Sequence, residues 1–184
     1  MEFCIARQPI FNFNKRIHAY ELLYRGTEKW NLQNTEGNRA TSSLLSSTFL
    51  TEGIEKIAGS KPCFVNFTEE LLLKNIPTAF PKNQLVVEIL EDVMPTHEVV
   101  EACQQLKKEG YTLALDDFVY HPRFDPLLPF VDIVKIDFHD TPMDDMHKIP
   151  HRLSRFHHLK FLAEKVETYK EFEIALKLGF HYFQ

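Results

Sequence analysis

Five short apolar runs in this chain each end on or beside an acidic or amide residue, and that repetition limits the folds open to it. The runs are Ala19-Tyr20-Glu21-Leu22-Leu23, Cys63-Phe64-Val65-Asn66, Leu85-Val86-Val87-Glu88, Leu113-Ala114-Leu115-Asp116-Asp117 and Phe161-Leu162-Ala163-Glu164. Each is rich in strand-forming side chains and follows a turn signal or a helix-like stretch. In a parallel barrel all strand ends lie on one face. Five oxygen ligands converging there describe a site for a hard divalent cation, magnesium or manganese, better than they describe a core.

Strands and helices alternate along the sequence. Phe3 to Phe11 and Ile17 to Tyr24 read as strands joined by the polar turn Asn12-Phe13-Asn14-Lys15, an antiparallel hairpin. From Asn38 to Ala58 the apolar residues Leu44, Leu45, Phe49, Ile54 and Ile57 recur at helical intervals, and Gly59 stops the helix. Further strands are expected at Pro62 to Phe67, Gln84 to Leu90, Thr112 to Asp117, Ile133 to Phe138 and Lys160 to Val166, with a last one starting at His181. Helices are expected at Glu69 to Lys74, Thr96 to Glu109, Met143 to Phe156 and Tyr169 to Leu178. The prolines of 118–130 argue for a loop with one helical turn. The spacing predicts an α/β fold whose closed form is a TIM-like (β/α) barrel, a single domain over residues 1–184.

Composition narrows the function. A formal charge of −5 gives no global footprint for a nucleic-acid polymer, so an anionic ligand needs a local device such as a metal ion. Cys4, Cys63 and Cys103 are odd in number and widely spaced, which reads as reduced thiols in a cytoplasmic protein. No stretch approaches the ~18 apolar residues of a membrane span.

Single residues carry competing readings. A lone strand-end acid such as Glu88 is commonly solvated or ion-paired, but carboxylates crowded at one barrel mouth repel one another unless a cation is present. Asn66 also suits a cap for the helix near Glu69. Lys135, between Val134 and Ile136, would place a costly ammonium on a buried strand, which points to a site or to a structural ion pair. Glu91 reads as a loop anchor. The nine histidines lack the spacing of a zinc site.

Taken in order, Gln8-Pro9-Ile10, Tyr20-Glu21-Leu22-Leu23-Tyr24-Arg25, Val65-Asn66, Glu88-Ile89-Leu90-Glu91, Asp116-Asp117-Phe118, Lys135-Ile136-Asp137, Ala163-Glu164-Lys165-Val166-Glu167-Thr168 and the closing segment from Gly179 to Gln184 resemble the EAL domain. The resemblance covers essentially the whole chain. That family comprises cyclic-di-GMP phosphodiesterases built on a barrel with one antiparallel strand and two divalent metals. It implies Glu21, Asn66 and Glu88 on one ion, Asp116 bridging both, and Asp117 and Glu164 completing the second. It further implies Lys135 positioning the attacking water, Gln184 and Glu167 as supporting polar residues, and Arg25, with Gln8 and Asp137, at the substrate. The reaction implied is hydrolysis of cyclic-di-GMP to linear pGpG in bacterial second-messenger signalling.

Two departures qualify what the resemblance implies. After Asp116-Asp117-Phe118 the family's glycine-rich loop is replaced by Val119-Tyr120-His121-Pro122-Arg123-Phe124-Asp125-Pro126, a variant that resembles the branch in which an EAL domain precedes an HDOD domain. The chain also stops at Gln184, where the family continues, so an incomplete last strand, an open barrel edge and an HDOD or homodimeric partner are expected. The alternative to an enzyme is an inactive receptor for cyclic-di-GMP or a protein-interaction module. A glycerophosphodiesterase on a similar barrel is disfavoured by Lys135-Ile136-Asp137 and the segment from Ala163 to Glu167.

Overall fold

Eight strands hydrogen-bond in sequence order and close into a ring in the computed structural model, which describes residues 3–26 and 53–184, with side chains from residue 5 to 23 and throughout the second segment. Strands β1 (Phe3–Asn12) and β2 (Ile17–Gly26) form the expected antiparallel hairpin. In its turn, Asn12 Oδ1 accepts from the backbone amides of Asn14 and Arg16 at 2.9 and 3.1 Å. Then follow β3 (Cys63–Phe67), β4 (Leu85–Ile89), β5 (Thr112–Leu115), β6 (Ile133–Asp137), β7 (Lys160–Glu164) and β8 (Tyr182–Phe183), each parallel to its predecessor. β8 is only two residues long, yet it pairs with both β7 and β1. The open edge expected from the short last strand therefore does not arise.

The connecting helices obey local rules. α1 (Ile54–Ala58) starts after Gly53, whose φ of 76° is not helical, so the helix expected over Asn38 to Ala58 does not run unbroken into it; residues 38–52 lie outside the described residues. α2 (Glu69–Leu73) is followed by a 3-10 turn. α3 (His97–Glu109) starts where Thr96 accepts from Val99 N and ends where Gly110, at φ 93°, donates to the last carbonyls. The helix expected at Met143 to Phe156 is two short ones, α4 (Met143–Met146) and α5 (Ile149–Arg152). Pro150 explains the split: its ring nitrogen has no hydrogen to continue the ladder, and it sits in the first turn of α5. α6 (Tyr169–Lys177) begins with a capping box between Thr168 and Glu171.

Strand pairing turns every second side chain inward. One residue from each strand, Ile10, Ala19, Phe64, Val86, Ala114, Ile133, Leu162 and Tyr182, forms a buried apolar plug across the barrel. The outward-facing set, including Val65, Val87, Leu113, Val134, Ile136 and Ala163, packs beneath helices into a larger core with Val99, Cys103 and Leu106 of α3. Cys63 and Cys103 are buried free thiols that burial pushes up to about 12, so they serve packing.

The plug is the floor on which the mouth of the barrel rests. Phe64 is fully buried in it, so Phe64→Ala is expected to cost about 3–5 kcal/mol in urea unfolding.

Candidate active site

Two residues beyond the plug, the same alternation brings up a polar layer. Asn66, Glu88, Asp116, Glu164 and Gln184 stand at, beside or just past the C-terminal ends of their strands, Glu21 and Lys135 stand in the middle of β2 and β6, and Gln8 pairs with Glu21 on β1. The register sets Asn66 beside Glu88 and Asp137 beside Glu164.

The ammonium of Lys135 is the centre of this layer. Fully buried, it ion-pairs with Glu88, with Asp116 Oδ1 at 2.7 Å, with Glu164 Oε1 at 2.9 Å and more distantly with Glu21 Oε2 at 3.5 Å. Gln184 Nε2 donates to the same Glu21 oxygen at 2.5 Å. Three N–H bonds cannot serve four carboxylates fully. Glu88 Oε2, Glu164 Oε2 and Gln184 Oε1 are buried without a hydrogen-bond donor among the described residues.

Two of these acids, Glu88 and Glu164, respond by binding their protons more tightly. Burial keeps Glu88 well above the usual carboxylate range despite Lys135, with Glu21 and Asp116 adding repulsion. Burial likewise pushes Glu164 up to about 7 against the pull of Lys135, with Asp116 again adding repulsion. For Lys135, burial alone would favour the neutral amine, but Glu88, Glu21, Asp116 and Glu164 together hold it well above the ordinary lysine range. One permanent cation among four acids, with buried oxygens lacking donors, is a donor set that fits additional hard cations.

A second acidic group adjoins the first. Carboxylate oxygens of Glu91, Asp116 and Asp117 lie within 4.8 Å of one another. Burial and Asp116 raise Asp117, while burial is also the main cause that raises Glu91. Asp116 belongs to both groups, reaching Lys135 on one side and Glu91 and Asp117 on the other. Asp117 takes φ 40°, a left-handed value rare for a residue with a side chain. Glu91, read from sequence as a loop anchor, lies in the turn after β4 and also stands with these carboxylates. Its spacing of three residues from Glu88 is the signal that could have placed it there.

Asp137 and Glu167 are not among the ion-pair partners of Lys135. Asp137 ion-pairs with Lys165 and accepts from His139 N and Asp140 N at 2.7 and 2.8 Å. Burial would raise its carboxyl, but those bonds outweigh it and hold Asp137 below the usual range. Lys165, unremarked in the sequence, has φ 56° and also meets Asp140 at 3.6 Å. Glu167 is exposed and shares a cavity of about 280 Å³ with Gln184, Tyr169 and Phe172. The side chain of Arg25 lies outside the described residues.

Residues 53–184 match the family model of the EAL domain. The chain belongs to the EAL domain family. The uncharacterized protein YuxH of Bacillus subtilis is 46% identical over 189 residues, which cover all of this EAL chain and 46% of YuxH. The cyclic di-GMP phosphodiesterase CdgJ of Vibrio cholerae is 42% identical over 182 residues, 98% of this chain and 42% of CdgJ. This EAL chain thus spans less than half the length of both relatives. BlrP1 of Klebsiella pneumoniae, solved with calcium and cyclic-di-GMP, shares the fold at a TM-score of 0.77 and 19% identity, over 100% of this chain and 54% of BlrP1. No described helix is long and apolar enough to cross a membrane.

The raised carboxyls give the EAL site a testable pH signature. Their folded-state values lie above the ordinary 4.5, so the stability they contribute is complete below that pH and is lost as pH rises through about 7 for Glu164. A divalent ion held by these carboxylates would replace those protons, so added magnesium or manganese is expected to raise the melting temperature more at pH 8 than at pH 5.5. At a hundredfold excess over Kd the gain is about 2.7 kcal/mol, or roughly 5–10 °C at this size. Equal shifts at the two pH values would argue that the ions bind elsewhere.

Proposed function

We propose that this chain is a metal-dependent phosphodiesterase that hydrolyses cyclic-di-GMP to linear pGpG in bacterial signalling. The observation carrying this reading is the polar layer around Lys135, where four carboxylates share one ammonium and buried acceptor oxygens lack donors. The name of CdgJ supports the substrate.

In this reading Glu21, Asn66 and Glu88 hold one magnesium or manganese ion, Asp117 and Glu164 hold a second, and Asp116 serves both. Two such ions would make water a better nucleophile and neutralise charge on the phosphodiester. Lys135 would turn N–H groups to the attacking water once bound ions draw the carboxylates off it, and its charge offsets the negative charge that builds on the phosphoryl oxygens. Gln184 fixes Glu21 by its hydrogen bond, and Glu167 supports the same edge of the site. The water oxygen forms the new P–O bond as the bond from phosphorus to the ribose 3′ oxygen breaks, and that oxygen leaves with a proton. Arg25 and Gln8 contact the substrate. Asp137 acts there through Lys165 and the loop it braces, rather than by direct contact.

The loop from Val119 to Pro126 supports a place in the branch where an EAL domain precedes an HDOD domain, in a cytoplasmic protein. An HDOD-type domain and a second copy of the chain are the partners this reading carries, and no nucleic-acid polymer is among them. Incubation of the purified chain with cyclic-di-GMP and Mn²⁺ is expected to yield linear dinucleotide on chromatography, with Glu21→Ala folded by circular dichroism but silent. A folded, silent wild type that still binds cyclic-di-GMP would make it a receptor instead.

A further inference from the structure

Beyond the carboxylates, the mouth offers few cations for a dianionic ligand. A cyclic dinucleotide carries two phosphodiester charges, and the chemistry at the carboxylates serves only the bond being cut. The second phosphodiester needs its own counter-charge. Among the described cations near the mouth, Lys135 is committed to four carboxylates and Lys165 to Asp137 and Asp140.

Arg123 differs from both. It lines a cavity of about 190 Å³ whose other walls include Glu91, Asp116, Asp117, Leu90 and Val119. Among the described residues it makes no ion pair. Its guanidinium rests 4.6 Å from the centre of the Phe124 ring, and Nη1 lies 3.7 Å from the Met94 sulfur. The backbone beneath it is fixed: His121 Nδ1 accepts from Arg123 N at 3.1 Å, and Pro122 stiffens the 3-10 turn Pro122–Phe124. Asp125, two residues on, is anchored by Arg155 at 2.5 Å. The result is a planar fork of N–H donors on a held stem, facing the opening that the carboxylates share.

We infer that Arg123 binds the non-scissile phosphodiester of the cyclic dinucleotide, and so acts as a substrate-positioning residue beside the carboxylate centre. The inference rests on the phosphodiesterase reading above. It also gives the unusual loop after Phe118 a purpose, which is to present one cation to the substrate.

Titration calorimetry with cyclic-di-GMP, with calcium as the divalent ion, tests this in the wild type, Arg123→Gln and Arg123→Lys at low and moderate NaCl. Arg123→Gln is expected to weaken binding about tenfold and to flatten the fall of affinity with salt, since one screened charge pair is gone. Arg123→Lys is expected to recover part of the affinity and all of the salt dependence. Calcium affinity and melting temperature are expected to match the wild type in both variants. If the wild type binds and Arg123→Gln binds equally with the same salt dependence, Arg123 has no part in substrate binding and the phosphodiesterase reading stands. An equal loss in both variants with a lowered melting temperature would reassign Arg123 to loop stability and overturn the inference. A wild type that does not bind cyclic-di-GMP overturns the reading and the inference together.

Discussion

Because successive side chains of a strand face opposite sides, closing eight strands into a ring commits every second residue to a shared interior. That constraint organises the rest of the molecule. Near the N-terminal ends of the parallel strands the committed positions are apolar and pack into a plug from Ile10 round to Tyr182. Two residues on, they are acids, amides and one lysine. A polar layer can be held at such depth only because the plug beneath it excludes water and the strands fix its members to within one register.

The energetics of that layer follow from imbalance. Taking an ion out of water costs several kcal/mol even after relaxation, and a buried charge endures only when compensated. Lys135 compensates Glu88, Asp116, Glu164 and Glu21 incompletely, which is why Glu88 and Glu164 cling to protons. The chain has assembled an anionic cup around one fixed cation. Such a cup is poised for further positive charge and is unfavourable without it.

Much of this was legible in the sequence, for a simple physical reason. Strand runs ending on or next to Asn66, Glu88, Asp116 and Glu164 advertise both the sheet and the oxygens at its rim, although Glu21 proves to lie in the middle of β2, and the helix breaks at Gly59 and Gly110 mark the repeating unit. Less legible was whatever depends on backbone angles that ordinary residues seldom adopt. Asp117 and Lys165 both take left-handed φ values without being glycine, and nothing in their identity announces it. Hence the gathering of Glu91 with Asp117 and the bond between Lys165 and Asp137 emerged only from the fold. Pro150 was in plain view, but the apolar periodicity around it masked the helix break. The closing strand was too short for its alternation to show that it reaches β1.

That closing strand has a consequence for how the molecule comes together. Tyr182 and Phe183 alone stitch the last parallel strand to the first antiparallel one, and the very next residue, Gln184, donates to Glu21. The zip that shuts the ring is continuous with the tether that orients one of its acids. Only two register pairs join β8 to β1, so an opening of that seam would uncover Tyr182 of the plug and Phe183 of the outer core. Each brief excursion of the seam would release Glu21 from its amide partner, making the integrity of the centre a gauge of whether the cylinder is shut.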